Sequence, residues 1–262
     1  MITIKEYFVA ASLEEAYNKL TSGKKNIILG GMMWLKMQSK MVPVAIDLSQ
    51  LGLDKIEEKD DVIEIGAMTS LRQLEKSDIL RQYFGDVFKN ALSHIVGTQF
   101  RNTATIGGSV FSRFGFSDPL TVLLALDTQV ELYGAGRMSL EEFMLAKPQK
   151  DLLVKLIIKK EQTKVIYKCQ RQTATDFPNL TVCVSEREEK YKIVVGARPQ
   201  KAKLAYEGMK LLNEGQAPVK VAEVVAEELN FGDNMRASGA YRKHLAKVLV
   251  RRSLEELMTE GK

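Results

Sequence analysis

The chain has 262 residues, 45% of them hydrophobic and 27% charged, a globular composition long enough to bury a core without disulfide staples. Its formal charge of +5 comes from basic residues scattered among 33 acidic ones, which gives no reason to expect nucleic acid as a partner. Two cysteines, Cys169 and Cys183, and two histidines, His94 and His244, have neither zinc nor iron–sulfur spacing, so redox work would need a bound organic cofactor or another chain.

In chain order, the first third alternates helix and strand signals. Ser12-Leu13-Glu14-Glu15 reads as a capping box, with Gly23 as the helix stop. Asn26–Leu29 and Val44–Leu48 are short apolar runs separated by a helix-length gap, which predicts a β-α-β unit with a glycine turn, Gly30-Gly31, after its first strand. Val62–Ile65 reads as a strand and Ser70-Leu71-Arg72-Gln73 as a helix start. Residues 77–96 are expected to be helical up to Gly97. The stretch 97–109 is polar, small and glycine-bearing with no clean period, which predicts a long ordered loop. Asp118-Pro119 suits a helix cap followed by a first-turn proline, and a strand is expected over 129–133.

Beyond a second capping box at Ser139–Glu142 the pattern changes. Strands are expected at 152–158, 163–170, 179–185 and 191–196, the last two joined by the charged turn Glu186–Lys190. Helices are expected near 200–213, 218–229 and 239–259. This places a domain boundary near residue 160, with residues 1–160 and 161–262 as the two parts. In the last helix Tyr241, Leu245, Val248 and Leu249 share one face and Arg242, Lys243, Lys247 and Arg251 the other; the basic face is either simply solvated or a docking surface for an acidic partner. No stretch reaches membrane-spanning length and the N-terminus shows no basic leader, so a soluble cytoplasmic protein without membrane contact is expected.

The glycine pairs carry the chemistry. Without Cβ atoms, Gly30-Gly31 lets the backbone turn sharply and expose N–H groups to an anion, a diphosphate-bearing nucleotide being the natural guest; a tight turn with no ligand is the alternative. It is neither a Rossmann fingerprint nor a P-loop. Gly107-Gly108 lies among the hydroxyls of Thr103, Thr105 and Ser109, and two such loops could hold a dinucleotide from opposite sides.

Gly97-Thr-Gln-Phe-Arg-Asn-Thr-Ala-Thr-Ile-Gly-Gly108, then Ser117-Asp118 and Leu123-Leu-Ala-Leu-Asp127, resembles the FAD-binding medium subunit of the xanthine dehydrogenase and carbon monoxide dehydrogenase family of molybdenum hydroxylases. Ile65-Gly-Ala-Met-Thr-Ser-Leu71 and Phe231–Arg242 extend the resemblance over nearly the whole chain. It implies an α+β fold: a two-part FAD-binding domain of the vanillyl-alcohol-oxidase type, then a smaller α+β C-terminal domain. It implies a first diphosphate loop of Leu29, Gly30, Gly31, Met32, Met33, Trp34 and Leu35, and a second of Thr105, Ile106, Gly107, Gly108 and Ser109. Ile95 would lie near the flavin ring, Asp118 near the ribityl or diphosphate, and Leu153 and Lys168 at the far side of the cofactor. No residue is assigned as catalytic and no metal is expected on this chain.

The implied role is electron transfer between iron–sulfur clusters of a partner chain and an acceptor such as NAD, in a complex with an iron–sulfur subunit and a large molybdenum-cofactor subunit. The family's usual first loop is Ala-Gly-Gly-Thr-Asp. Here Leu29-Gly-Gly-Met-Met-Trp34 lacks the hydroxyl and the carboxylate, Ser109 replaces an Asn, and Arg113-Phe-Gly-Phe116 is bulky. Trp34 either packs in the core or shields the cofactor. These departures support the competing expectation, a non-redox scaffold or assembly subunit that has lost its FAD.

Overall fold

The computed structural model describes residues 1–259. The chain opens with β1 (Thr3–Val9), α1 (Leu13–Thr21), β2 (Ile27–Leu29) and β3 (Met41–Asp47), whose three strands form a small parallel sheet in the order β1-β3-β2. Ser12 caps α1 by accepting from the Glu15 N–H at 3.1 Å. The expected helix between the two apolar runs is absent. β2 and β3 do pair in parallel, but residues 30–40 joining them form an irregular segment with one short 3₁₀ turn at Leu35–Met37. The glycine pair therefore opens a loop and not a helix N-terminus.

Next come β4 (Ile56–Glu58), β5 (Val62–Gly66), α2 (Leu71–Glu75), α3 (Asp78–Phe84), α4 (Val87–Leu92), α5 (Thr98–Thr103), α6 (Ile106–Phe111), α7 (Asp118–Ala125), β6 (Gln129–Leu132), β7 (Gly136–Ser139), α8 (Leu140–Leu145) and β8 (Leu153–Lys159). The strands form one antiparallel sheet, β4-β5-β8-β6-β7, packed with the helices around a core that includes Ile63, Ile65, Leu123, Leu156 and Ile158. Two expectations change here. The single helix over 77–96 is two short ones, because Gly85 takes a left-handed φ of 59° between them, and Gly97 begins α5 as its N-cap. The expected loop over 97–109 is largely helical. Ile106 and Val110 point into the core and Arg101 forms a buried ion pair with Glu75 at 2.7 Å, so tertiary contacts hold two helices that propensity alone would not sustain.

The last part holds β9 (Lys164–Arg171), β10 (Pro178–Arg187), β11 (Lys190–Gly196), β12 (Lys203–Leu204), α9 (Tyr206–Asn213), α10 (Pro218–Glu228) and α11 (Gly239–Thr259). An antiparallel sheet, β12-β11-β10-β9, carries the three helices on a core of Leu180, Val182, Val184, Ile193, Val225 and Val250. Three of the four cations expected on the basic face of α11 have partners in other elements. Arg242 is buried, and its guanidinium donates to the carbonyls of Asn179, Gly232 and Ala237 and to Asn234 Oδ1, so it organises the 231–238 loop from inside. Lys243 is tied to Glu227 on α10, as is Lys247 at 3.6 Å, which leaves little of that face free to attract an acidic partner.

Candidate functional site

All three parts of the chain contribute walls to one cleft of ≈ 730 Å³, within the size range of a cofactor site. Of the residues singled out in the sequence, Gly30, Gly31, Met32, Met33, Trp34, Leu35, Ile95, Thr105, Gly107, Gly108, Ser109, Asp118 and Leu153 line it. Leu29 and Ile106 belong to the same segments but bury their side chains in the cores. Lys168 departs from the expectation: it does not line the cleft, and its ammonium pairs with Glu256 on α11. β9 alternates its faces, so Lys168 and the cleft-lining Arg171, three positions apart, point to opposite sides.

The two glycine segments do not face each other across a ligand; they abut. A Cβ on Gly31 would lie 1.9 Å from the Thr103 carbonyl oxygen, and one on Gly30 2.7 Å from Thr105 Oγ1. Gly107 is equally tight, 2.5 Å from the Ala67 carbonyl oxygen. Gly108 differs: its Cβ would meet only Thr105 Oγ1, at 3.2 Å, so the space beside it belongs to the cleft.

The segments also differ as donors. In the second, the Ile106 N–H donates to Thr69 O and the Gly107 N–H to Ala67 O, both at 2.8 Å, while the Gly108 N–H donates to the capping Thr105 hydroxyl at 3.2 Å. Its hydroxyls are engaged too, Ser109 on Thr105 O and Ser112 on Gly108 O. In the first, none of the five consecutive backbone N–H groups from Gly30 to Trp34 has an acceptor among the described residues. Met32 takes φ 57°, a left-handed conformation of the kind that turns successive N–H groups into an anion-binding concavity. This loop thus presents backbone donors to the cleft although it lacks the hydroxyl and the carboxylate.

Asp118 was expected to cap α7. The cap is Ser117, which accepts from the Leu120 N–H at 3.4 Å, and this releases the Asp118 carboxylate for the cleft wall. There it accepts from Arg171 Nη2 at 2.5 Å and from the Tyr167 hydroxyl. Burial alone would lower the Arg171 pKa, but the Asp118 charge outweighs it and raises it, so the guanidinium stays charged. Arg171 Nη1 also donates to Asp176 O at 2.5 Å, joining α7 to the β9–β10 connection. Nothing in the sequence reading pointed to Arg171.

Trp34 is half-buried and sits in an aromatic wall. Its ring lies 5.6 Å from Phe100, 5.7 Å from Phe116 and 5.3 Å from Phe177, and Phe116 meets Phe177 edge-on at 4.4 Å. The Arg236 guanidinium covers Phe177 at 4.7 Å. The Trp34 ring thus packs on other aromatic rings and at the same time lines the cleft. The bulky Phe114 and Phe116 noted in the sequence belong to the same wall; Phe177 was not foreseen, because only the tertiary fold brings it beside Trp34.

Against known proteins, the family described as the FAD binding domain in molybdopterin dehydrogenase matches residues 3–160. The chain belongs to that family. Residues 166–257 match the CO dehydrogenase flavoprotein C-terminal domain. The nicotine 6-hydroxylase medium subunit of Paenarthrobacter nicotinovorans is 25% identical over 95% of this chain and 96% of its own length. The nicotinate dehydrogenase FAD-subunit of Eubacterium barkeri is 30% identical over 53% and 50%. In fold, the chain superposes on one from the carbon monoxide dehydrogenase of Hydrogenophaga pseudoflava with a TM-score of 0.87, 20% identity and 97% coverage of each. FAD is the cofactor of this molybdenum-hydroxylase oxidoreductase subunit, and the cleft fits it: the donors of Gly30–Trp34 suit a diphosphate, and the apolar and aromatic walls suit a flavin.

Proposed function

We propose that this chain is the electron-transfer subunit of a multi-subunit molybdenum hydroxylase, working between iron–sulfur clusters of a partner chain and an acceptor such as NAD. In this reading residues 1–160 form the FAD-binding part and residues 161–262 the C-terminal part, and the other chains are an iron–sulfur subunit and a large molybdenum-cofactor subunit. The observation that carries it is the row of five unpartnered N–H groups, Gly30 to Trp34, opening on an apolar cleft.

The chain's own residues bind and orient. The N–H groups of Gly30–Trp34 donate to the diphosphate, the bare Cα of Gly108 leaves room beside it, and Trp34, Phe116 and Phe177 exclude water. Bound FAD supplies the exchange between one-electron and two-electron transfer. No side chain of the cleft is assigned acid–base work on a hydroxylation substrate, whose oxidation falls to the partner. The lost-flavin scaffold reading has no support in the cleft.

Purification of the native complex tests the proposal. The chain is expected to co-purify with an iron–sulfur subunit and a large molybdenum subunit, and to release intact FAD on acid or heat treatment. By itself it should oxidise no hydroxylase substrate. A lone monomer with complete dehydrogenase activity in the native extract would overturn it.

A further inference from the structure

Charge along the first cleft segment is one-sided. From Ala16 to Ile46 the sequence contains Lys19, Lys24, Lys25, Lys36 and Lys40 and no Asp or Glu. Lys19 pairs with Glu6 on β1. Lys24 and Lys40 line the cleft with exposed side chains, so they stand at its rim, and neither ammonium has an acidic or hydrogen-bonding partner among the described residues. Lys150 also lines the cleft. Its ammonium donates to the carbonyls of Leu20, in the last turn of α1, and of Gly23 just beyond it, which orients the charge without neutralising it.

The carboxylates of the cleft do not balance these cations. Asp118 is paired with Arg171. Asp151 accepts from the N–H groups of Gly134, Ala135 and Leu152. Asp176 accepts from the Phe177 N–H and faces Arg236. Lys24, Lys40 and Lys150 therefore leave uncompensated positive charge in the same cleft as the five free N–H groups of Gly30–Trp34.

We propose that Lys24 and Lys40 are phosphate-recognising residues of the cofactor site, and that this chain holds the diphosphate of a dinucleotide by rim charge where its first loop lacks a side-chain hydroxyl. The proposal rests on the FAD reading above and deepens it. A loop without a carboxylate, flanked by an acid-free run of lysines, favours a doubly negative diphosphate over an uncharged flavin. Because both ammoniums face solvent, their contribution is screened by salt, whereas short-range hydrogen bonds from the backbone N–H groups are screened far less.

The test is fluorescence titration of the flavin-free full chain with FAD and, separately, with riboflavin, which has no phosphate. For FAD, affinity is expected to fall by roughly tenfold between about 50 mM and about 500 mM salt. The double variant Lys24→Gln/Lys40→Gln should bind FAD roughly tenfold more weakly at low salt and show a flatter salt dependence. Riboflavin affinity should be the same for both proteins at every salt concentration. FAD affinity that ignores both salt and the substitutions would overturn the lysine assignment and leave FAD binding standing, as would an equal loss for riboflavin. A wild-type chain that takes up no FAD at any concentration would overturn the functional reading itself. Both side chains are exposed, so melting curves of the two proteins should coincide and exclude misfolding as the cause.

Discussion

At the scale of single residues, the four glycines of the two motifs do different work although they look alike in the sequence. Gly31 is a packing residue, since a methyl group there would overlap the Thr103 carbonyl. Gly31→Ala should destabilise the whole chain by about 3 kcal/mol, as overpacking against fixed backbone does, and denaturant unfolding would show it. Gly108 borders open cleft. Gly108→Val should leave the circular-dichroism spectrum unchanged while abolishing FAD binding, because the branched side chain fills the space the cofactor needs. Wild-type FAD content in a folded Gly108→Val protein would remove the second segment from the site.

At the scale of elements, a buried charge cluster ties α2 to α5. Glu75 accepts from Arg101 at 2.7 Å and from Arg72 at 2.5 Å, and Arg101 in turn donates to the Ile95 carbonyl at 3.2 Å, fixing the turn that brings Ile95 to the cleft. Burial pushes the Glu75 carboxyl up, but the two arginines outweigh it and hold its pKa below the ordinary 4.5. With the folded value lowered, the cluster contributes its full stability above pH 4.5 and loses it as pH falls through the folded pKa. Glu75→Gln should cost about 3 kcal/mol at neutral pH, since it strands the buried Arg101, and should flatten the loss of stability below pH 4.5 seen in urea titrations of the wild type. A second element-scale feature is the β10–β11 hairpin, which turns through Glu188 and Glu189 at φ 50° and 60°. Two left-handed residues match the twist of the strands, but both carry side chains. Glu189→Gly should raise stability by about 0.5–1 kcal/mol; a lower denaturation midpoint would show that the turn is not strained.

At the scale of the molecule, the cleft draws walls from both sheets of the first 160 residues, from the end of β9 through Arg171, and from the β9–β10 connection through Asp176 and Phe177. A ligand there binds the folded chain and not the unfolded one. FAD at about a hundredfold over its Kd should therefore add about 2.7 kcal/mol and raise Tm by roughly 5–10 °C in a single transition. An unchanged Tm at saturating FAD would mean that the cofactor does not bridge these walls.

Local signals in the sequence were enough for β5, β6, β8, β9, β10 and β11 of the antiparallel sheets but not for the short β4, β7 and β12, for the helix start at Ser70 and the capping box at Ser139, and, through the 97–108 and 231–242 motifs, for the family and its FAD. Such features depend on side-chain period and on residues within one turn of each other, which a linear reading contains. The rest depended on who meets whom across the chain. Asp118 is an ion-pair partner and not a cap because Ser117 takes the cap and Arg171 arrives from 53 residues away. Arg242 faces inward because three oxygens of the adjacent 231–238 loop and the Asn179 carbonyl of β10, 63 residues away, converge on it. The helices α5 and α6 stand where composition suggested a loop because the core and the Glu75–Arg101 pair outweigh weak propensity. Which glycine segment has free N–H groups was decided likewise by tertiary partners: Thr69 and Ala67 satisfy the second, and nothing satisfies the first among the described residues. A hydrogen bond or an ion pair between remote residues leaves no period and no spacing in the sequence, so only the folded chain could assign them.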